Sequence, residues 1–374
     1  MVPKINLSKE QCSGCGACEN ICPVNAIQMV ADNEGFYYPS IDLEKCVKCK
    51  KCEKICPMIC LDASCNIDMI SQYGCKHSDE KVRMNSRSGG FFVALSNMVI
   101  KYDGVVYGAV MISPDRVEHI RATTYKERDK MCGSKYVQSD ITVIYKLLEK
   151  DLNENKLVLF TGSPCQCSAI FKLFGKYETL ILCDFVCHGV PSQKMWQDYL
   201  NWWRKKRKKN ILSVDFRDKQ NHNWSTHVEK LSFEDKAIYS RRFTKLFYEN
   251  SCLRPSCYSC PFVINRVSDI TIADYWGIND INKGFNDEKG VSLVIVRSDK
   301  GKAVFDNTKD ELVYFDSTDF DPVHYNLKTP TKCPEHRNLF WDDYFKKGFG
   351  YVSRKYGGYD ILRTIKYRLI DKIN

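Results

Sequence analysis

Residues 12–23 read CSGCGACENICP, and residues 46–57 read CVKCKKCEKICP. The four cysteines and the final proline of the first stretch recur in the second with a constant offset of 34 residues. Each stretch places three cysteines at intervals of three residues and a fourth cysteine directly before the proline. The chain has 20 cysteines among 374 residues, and ten of them lie between Cys12 and Cys65. This repeat is the strongest signal in the sequence, because a regular spacing of thiols indicates a shared metal site.

The spacing is typical of bacterial proteins that hold two [4Fe–4S] clusters. Three thiolates separated by two residues wrap three corners of one cubane, and small residues such as Gly14, Gly16 and Ala17 permit the tight turns. The fourth cysteine of each stretch binds the other cluster. We therefore predict one cluster on Cys12, Cys15, Cys18 and Cys56, and a second on Cys46, Cys49, Cys52 and Cys22.

Other uses of these cysteines fit the sequence less well. A secreted disulfide scaffold needs an export signal and is usually smaller, whereas Met1–Lys4 leads almost at once to cysteines. Zinc needs four ligands and leaves the order of the repeat unexplained. Cys60 and Cys65 lie just past the repeat, and we interpret them as small core residues rather than ligands.

Composition indicates a folded protein, with 44% apolar and 27% charged residues and a net charge of +10. No apolar run reaches the roughly 18 residues that a membrane helix needs, so we expect no membrane span and a cytoplasmic location. Residues 204–209 form a basic run. We favour the solvated end of a helix over an acidic docking partner, and expect no nucleic-acid partner.

The order of segments predicts an α+β ferredoxin-like module followed by a mixed α/β domain and a helical C-terminal tail. The module should occupy residues 1–65, and the polar stretch that follows indicates a linker at residues 66–85. Strand and helix patterns alternate over residues 86–325, which favours a mixed α/β domain. Residues 326–374 are charged and aromatic, and we expect a helical extension there.

More cysteines occur in stretches rich in turn residues. Residues 162–167 read GSPCQC, residues 183–192 read CDFVCHGVPS, and residues 252–262 read CLRPSCYSCPF. The first two stretches follow predicted strands, and the carboxyl ends of strands are where α/β folds build their sites. One metal site shared by the three stretches explains their cysteines better than three unrelated roles do.

With these motifs the sequence resembles the coenzyme F420 hydrogenase/dehydrogenase beta-subunit family, from Ser86 to about residue 300. The resemblance depends on short motifs: SGG at 88–90, GVVYG at 104–108, GSKYVQS at 133–139, GSPCQ at 162–166, CHGVPS at 187–192, FRDK at 216–219 and SDITIADYWG at 268–277. Ala273 stands where the family often has glycine. A two-cluster ferredoxin fused to the N-terminus is a familiar arrangement in this family.

The resemblance implies a flavin, FAD rather than FMN, and a third [4Fe–4S] cluster beside it. Carried over position by position, the ligands of the third cluster would be Cys165, Cys187, Cys257 and Cys260. Cys252 is the reserve ligand. We interpret Cys167, Cys183 and Cys333 as structural thiols, and Cys132 as incidental.

Flavin phosphates need backbone N–H groups at a turn that enters a helix, and residues 88–90 offer such a turn. An ordinary tight turn is the alternative interpretation. A cation should neutralise the pyrophosphate, and the ring needs close backbone approach. The predicted cofactor-binding residues are Arg87, Ser88, Gly89, Gly90, Lys135, Tyr136, Gly162 and Ser163.

Two side chains are candidates for a catalytic role. His188, next to a predicted ligand, could protonate or orient a substrate, or be a hydrogen-bonded turn histidine. Arg217, with Asp218, could clamp a substrate or form a structural ion pair.

Together these features predict an iron–sulfur flavoprotein oxidoreductase. Electrons would move between ferredoxin-type clusters and a flavin that exchanges a hydride or two electrons with an organic substrate. That substrate would be a deazaflavin-type cofactor or a biosynthetic intermediate, with polysaccharide synthesis one open setting. A ferredoxin or another redox protein would be the partner. The alternatives are an electron-transfer subunit serving a partner enzyme, and a redox sensor.

Overall fold

The computed structural model describes Ile5, residues 7–60 and residues 69–358. Its strands are β1 (Ile27–Ala31), β2 (Tyr37–Ile41), β3 (Ser71–His77), β4 (Val105–Ser113), β5 (Arg116–Ala122), β6 (Val158–Gly162), β7 (Leu180–Phe185), β8 (Ile211–Asp215), β9 (Glu229–Phe233), β10 (Ala237–Ser240), β11 (Ile270–Asp274), β12 (Ser292–Val296) and β13 (Leu312–Asp316). Its α-helices are α1 (Ala17–Asn20), α2 (Lys51–Lys54), α3 (Glu80–Asn85), α4 (Phe91–Lys101), α5 (Tyr125–Asp129), α6 (Tyr145–Asn153), α7 (Pro164–Phe174), α8 (Gln193–Arg207), α9 (Arg242–Glu249), α10 (Ile278–Asn282), α11 (Asp299–Asp306), α12 (Arg337–Lys347) and α13 (Phe349–Lys355).

Eight strands form one mixed sheet in the order β13-β3-β12-β11-β7-β6-β4-β5. The inner strands β11, β7, β6 and β4 run parallel, and antiparallel strands flank them on both sides. β7 is buried from Leu180 to Asp184, as expected of a parallel strand covered on both faces. The carboxyl ends of β6, β7 and β11 meet at one edge, where α/β folds place their sites.

Helices cover both faces of this sheet. On one face α4 packs Phe91, Leu95 and Val99 into a core that includes Leu159 and Ile181. The opposite face carries α6 and α7, whose apolar residues pack against alternate residues of β6 and β7. Strand β6 therefore contributes neighbouring residues to two separate cores, which is the period-two alternation of a strand between two layers.

A smaller antiparallel sheet, β10-β9-β8, lies with α8, α9, α12 and α13 around an aromatic core. Trp196, Tyr199 and Phe243 are fully buried there, in contact with one another. This core also takes Phe340 of α12 and Phe349 of α13. The second core thus joins segments that are more than 100 residues apart.

The N-terminal region has its own small core around Ile5, Ile27 and Cys52, beneath the antiparallel pair β1 and β2. It also packs closely against the rest of the chain. Tyr145 donates to the Cys15 carbonyl at 2.8 Å, and Glu34 pairs with Arg337. The prediction of a mixed α/β protein with an N-terminal ferredoxin-type region is therefore confirmed.

The linker predicted at residues 66–85 is wrong for the part that the structure describes. Residues 71–77 form β3, which lies inside the large sheet between β12 and β13. The polar residues that suggested a linker make internal hydrogen bonds instead. Gln72 is fully buried and donates to the Ser317 carbonyl at 3.0 Å, and Lys76 donates to the Phe285 carbonyl at 3.0 Å.

The predicted C-terminal extension contains two helices in residues 326–358, α12 and α13, and residues 359–374 lie outside the described part. These helices are not an appendage, because Phe340 and Val352 are fully buried in the aromatic core. A tail that contributes to a core belongs to the domain.

The basic run forms the last turn of α8 and the residues after it. Arg204 pairs with Asp115 at 2.5 Å, and Arg207 and Lys209 both pair with Asp235. Cations at a helix C-terminus are also favoured by the helix dipole. These contacts support the interpretation of the run as a solvated helix end.

The position of β3 makes Gly74 intolerant of a side chain. A Cβ there would lie 2.2 Å from Cε1 of Phe315, whose ring packs between Tyr275 and Phe285. We expect Gly74→Ala to destabilise the protein by about 1–3 kcal/mol and to lower the midpoint of thermal unfolding by several degrees. Gly284→Ala is the control, because its Cβ would meet only Asn282 Oδ1 at 4.0 Å. Equal midpoints for the two variants would contradict the placement of β3.

Candidate metal centres and the adjoining cavity

The structure brings together Cys12, Cys15, Cys18 and Cys56, which we call group one. Burial, together with the neighbouring thiols of Cys12 and Cys56, raises the pKa of the Cys15 thiol to about 12. The pKa of Cys18 is raised by burial and by the other three thiols of the group. Four thiols that disfavour one another's ionisation are stabilised when cations share their charge, as irons do.

Group two comprises Cys22, Cys46, Cys49 and Cys52, which all line one cavity. Cys49 is exposed and Cys52 is buried. The Ala26 N–H donates to Cys22 Sγ at 3.2 Å, a contact that stabilises a thiolate. Group two is more exposed to solvent than group one, in which the Cys15 carbonyl accepts a hydrogen bond from Tyr145 of the large domain.

Group three comprises Cys165, Cys187, Cys257 and Cys260. Cys165 lies in the first turn of α7 directly after β6, and Cys187 follows β7. Cys257 and Cys260 come from a short 3-10 turn at Pro255–Ser259 and the residue after it. Parallel strands bring the first two together because their carboxyl ends share an edge of the sheet.

The thiols of group three are deeply buried and lie close to one another. Burial raises the pKa of Cys187 well above its usual value, and the thiols of Cys257, Cys165 and Cys260 add to the rise. The pKa of Cys257 is raised by burial to about 11 and that of Cys260 to about 12. Ser163 Oγ lies 3.2 Å from Cys165 Sγ, and the Val190 N–H donates to Cys257 Sγ at 3.4 Å.

Over residues 7–60 and 69–358, no three His, Cys, Asp or Glu side chains converge as the ligands of a single ion do. A cubane does not require such convergence, because each of its four irons takes one thiolate. The three sets of four thiols fit [4Fe–4S] clusters in number and donor type.

Groups one and three are neighbours. The thiol of Cys165 adds to the raised pKa of Cys15, whose largest cause is burial. Arg254 lies beside both groups and favours the thiolates of Cys12, Cys165 and Cys257 against burial. Sequence reasoning missed this arginine, because it lies among turn residues and nothing in its motif indicates a contact with residue 12.

The other cysteines lie elsewhere in the fold. Cys252 is fully buried, and its thiol donates to the Leu246 carbonyl at 3.5 Å rather than joining group three. Cys167 and Cys183 are buried in the sheet core, with thiols directed at carbonyls. Cys333 is exposed, and Cys132 and Cys60 are half-buried. Cys65 lies outside the described residues.

A large cavity opens beside group three, with Cys187 and His188 in its wall. Of the predicted cofactor-binding residues, Arg87, Ser88, Gly90, Lys135, Tyr136, Gly162 and Ser163 line it. Gly89 does not. It lies behind the wall, where its N–H donates to Ser292 Oγ at 3.0 Å and an added Cβ would meet the Cys75 carbonyl at 2.1 Å.

Helix α4 begins at this cavity. Its N-cap residue is Gly90, which has φ of 92° and supplies no side-chain cap. Lys219 fixes the turn before it, donating to the carbonyls of Arg83 at 2.6 Å and Ser88 at 2.8 Å. The uncapped N–H groups of an eleven-residue helix provide a site for an anion.

The two candidate cations at the cavity, Lys135 and Arg87, differ in how many of their donor groups are already hydrogen-bonded to the protein. Burial lowers the pKa of Lys135 to about 8, and its ammonium group donates to the carbonyls of Met131 and Cys132 at 2.6 and 3.0 Å. Arg87 donates to the Trp224 carbonyl and lies 3.8 Å from Asp274, but its buried Nε has no partner among the described residues. Arg87 is the better match for a phosphate.

Arg217 lines the cavity, but its guanidinium group is occupied by an ion pair and hydrogen bonds within the protein. It pairs with Asp274 at 2.6 Å and donates to the carbonyls of Trp224 and Thr226 at 2.8 and 3.2 Å. Asp218 pairs with Lys230 instead, at 3.2 Å. These contacts favour the structural interpretation of the FRDK motif.

His188 Nε2 lies 2.7 Å from Asn250 Oδ1, and its ring contacts Phe247 and Tyr248. Burial lowers the pKa of His188 and so favours the neutral ring. A neutral imidazole at this wall can exchange a hydrogen bond with a ligand but carries no charge to attract one.

Sequence reasoning named Tyr136 but missed the other rings of an aromatic wall. Tyr136, His227, Tyr248 and Trp276 all line the cavity, and their rings contact one another in sequence. They lie far apart along the chain, so no local motif indicates that they share a surface. Rings that are edge-on or tilted to one another form an apolar surface that can contact a planar ring system.

Two parts of the chain match known protein families. Residues 155–319 match the family model for the C terminus of the coenzyme F420 hydrogenase/dehydrogenase beta subunit, and residues 11–60 match the 4Fe-4S dicluster domain. A chain of the F420-reducing [NiFe] hydrogenase complex from Methanosarcina barkeri is 15% identical, over 81% of this chain and 94% of that chain, with a TM-score of 0.47. No curated protein matches this chain.

Within residues 7–60 and 69–358, none of the helices combines the length and apolar character needed to cross a bilayer. The longest of them, α8, has 15 residues.

His119 gives the cavity wall a testable pH dependence. Burial lowers its pKa to about 4, compared with about 6.5 when unfolded. The folded protein therefore binds fewer protons, and stability is lost as the pH falls below 6.5. Between pH 7 and pH 5 this loss is about 2 kcal/mol. We expect His119→Phe, which keeps the stack on Phe160, to show a smaller fall in thermal midpoint over this range. His222→Phe, outside the cavity, should behave like the wild type. An unchanged pH dependence in His119→Phe would contradict the prediction.

Proposed function

We propose that this chain is an iron–sulfur flavoprotein oxidoreductase. It belongs to the coenzyme F420 hydrogenase/dehydrogenase beta-subunit family through residues 155–319 and carries a 4Fe-4S dicluster domain at residues 11–60. The observation that carries the proposal is the position of group three. It lies beside group one through Cys165, and its Cys187 forms part of the wall of the large cavity.

In this proposal groups one, two and three each hold one [4Fe–4S] cluster. Clusters carry single electrons and a flavin exchanges one or two, so this set of cofactors couples one-electron carriers to a two-electron substrate. The protein places the thiolates, excludes water from group three and sets the local charge through Arg254. Cys252 is not needed as a ligand, since four other thiols already lie together.

The large cavity is the proposed flavin site. The N-terminus of α4, which has no side-chain cap, and Arg87, whose buried Nε has no partner among the described residues, would bind the phosphates. Gly162 and Ser163, at the end of β6, allow close approach of a ring beside Cys165. Lys135, occupied by carbonyls, would position the loop at residues 131–135 rather than neutralise a phosphate. We propose FAD rather than FMN, as the family resemblance implies.

The aromatic wall supports a planar, conjugated substrate such as a deazaflavin-type cofactor. His188 and Tyr248 would orient it by hydrogen bonds and ring contacts, and Arg217 would support the wall through Asp274. Few side chains need to act as acids or bases, because the reaction transfers electrons at the cofactor. A purified protein that reduces no small acceptor by itself would instead favour a subunit that serves a partner enzyme.

The assignment of group three can be tested by iron content. We expect wild-type protein, prepared without oxygen, to hold about twelve irons per chain, and Cys165→Ser about eight, since each cubane has four. Cys167→Ser is the matched control, because Cys167 lies two residues away but faces the sheet core. Iron analysis and electron paramagnetic resonance give the measurement. A wild type with eight irons, or an unchanged Cys165→Ser, would refute the third cluster.

The flavin site can be tested through Lys219. Lys219→Met keeps the length of the side chain but removes the donor that fixes the turn before α4. We expect flavin to be held about tenfold more weakly, the effect of losing about 1.4 kcal/mol, with unchanged iron content. Lys300→Met, whose ammonium group donates to the Leu180 carbonyl away from the cavity, is the control. Equal flavin affinity in both variants would contradict the role of the turn.

A further inference from the structure

The two halves of the N-terminal repeat differ in one systematic way. With the 34-residue offset, lysine in the second half replaces an uncharged residue of the first half at five positions. These pairs are Gln11 and Lys45, Gly14 and Lys48, Gly16 and Lys50, Ala17 and Lys51, and Asn20 and Lys54. The change adds five positive charges around group two and none around group one.

Two of these lysines have a backbone conformation that favours glycine. Gly14 and Gly16 have φ of 68° and 72°, and Lys48 and Lys50 have φ of 56° and 59°. A left-handed conformation destabilises a residue with a Cβ by about 1–2 kcal/mol, so glycine would suit positions 48 and 50 better for folding alone. The lysines are therefore explained by their charge rather than by the turn.

The first half cannot accept such side chains, because it packs against the large domain. A Cβ on Gly14 would lie 2.4 Å from the Arg254 guanidinium, and one on Gly16 would lie 2.4 Å from Thr142 Cγ2. Ala17 is also buried. Group one thus faces inward, toward group three.

The second half faces outward. We define the lysine face as Lys48, Lys50, Lys51 and Lys54, which are all exposed. No ion pair is found for these four lysines in residues 7–60 and 69–358, whereas the fifth, Lys45, pairs with Asp42 at 3.1 Å.

Lys50 and Lys51 line the cavity of group two. Val47 is 59% exposed and Leu43 57% exposed, next to the exposed Cys49. Between residues 42 and 57 the acidic residues are Asp42, Glu44 and Glu53.

We propose that the lysine face is the docking site for a small acidic electron-carrier protein of the ferredoxin or flavodoxin class. The inference rests on the proposed function, because it requires a redox centre at group two. Cations around a small apolar centre suit a weak, short-lived complex, in which charge steers the encounter and a few apolar contacts orient it. In each encounter one electron leaves one protein and enters the other, with no bond formed or broken, and two encounters supply the pair that an organic substrate exchanges.

The test uses the double variant Lys48→Gly/Lys50→Gly in the complete holoprotein. Glycine suits both backbone positions, so we expect no fall in thermal midpoint. The control, Lys205→Ala/Lys208→Gly, removes two exposed lysines from the basic run after α8, and Lys208 also has a positive φ of 55°. Both double variants lose the same charge, so they differ only in where it is lost.

Two measurements use an acidic two-cluster ferredoxin as the probe. Stopped-flow mixing gives the second-order rate constant of electron transfer, and calorimetric titration of the oxidised proteins gives Kd. At low salt we expect the Lys48→Gly/Lys50→Gly variant to lose about tenfold in rate constant and in affinity. At about 0.5 M salt the wild type and both variants should converge, because the Debye length falls to a few ångströms. The control should match the wild type throughout.

A reduced monosulfonated viologen separates this inference from the proposed function. The probe carries a single sulfonate, so its one-electron-reduced form has no net charge to be steered, and we expect it to reduce all three proteins at equal rates. If the viologen reduces them equally but the ferredoxin does not distinguish the two double variants, the docking site is refuted and the proposed function stands. If the viologen cannot reduce a flavin in the wild type, the proposed function fails. Equal losses in both double variants, or a preference of the lysine face for nucleic acid over the ferredoxin, would also refute the docking site.

Discussion

Arg254 is the buried charge through which the N-terminal repeat is attached to the large domain. Its guanidinium group is 1% exposed and donates to the carbonyls of Cys12 and Tyr37 at 3.3 and 3.2 Å, and to Gln138 Oε1 at 3.1 Å. The rings of Phe36 and Tyr38 lie about 5 Å from it. The buried Nε of Arg254 has no partner among the described residues, so these hydrogen bonds and ring contacts offset part of the cost of burying the cation. These partners come from separate segments of the chain, so the contact holds groups one and three next to each other.

The large sheet provides the second constraint. Because β6, β7 and β11 are parallel, their carboxyl ends meet at one edge, and the residues that follow each strand share a surface. Cys165 follows β6 and Cys187 follows β7, while Asp274 ends β11 and holds Arg217. A metal centre and a cofactor cavity can therefore share a wall. The antiparallel strands β12, β3 and β13 extend the sheet on one side, and the turn before α4 is attached to it through the bond from Gly89 to Ser292.

The N-terminal repeat shows how one ligand pattern serves two environments. The cysteines of both halves have the same spacing, yet the residues between them differ because one half is covered and the other is not. Glycine and alanine allow close packing against Arg254 and Thr142, whereas lysines surround the half that faces solvent. A duplicated motif can thus place one centre for internal transfer and the other for exchange with a second protein.

The sequence by itself determined the N-terminal ligand pattern, the mixed α/β class and most of the motif residues that line the cavity, because these depend on local spacing and on the alternation of strands and helices. It also indicated the four thiols of group three, through the family resemblance. Tertiary structure alone decided three further points. Polar residues 71–77 became a strand inside the sheet, since Gln72 and Lys76 find partners more than 200 residues away. Arg254 lies beside groups one and three, and the rings of the aromatic wall line one cavity, although no motif near these residues in the chain indicates these positions. The two halves of the repeat acquired an inner and an outer face, because burial depends on contacts between distant segments, which local spacing does not encode.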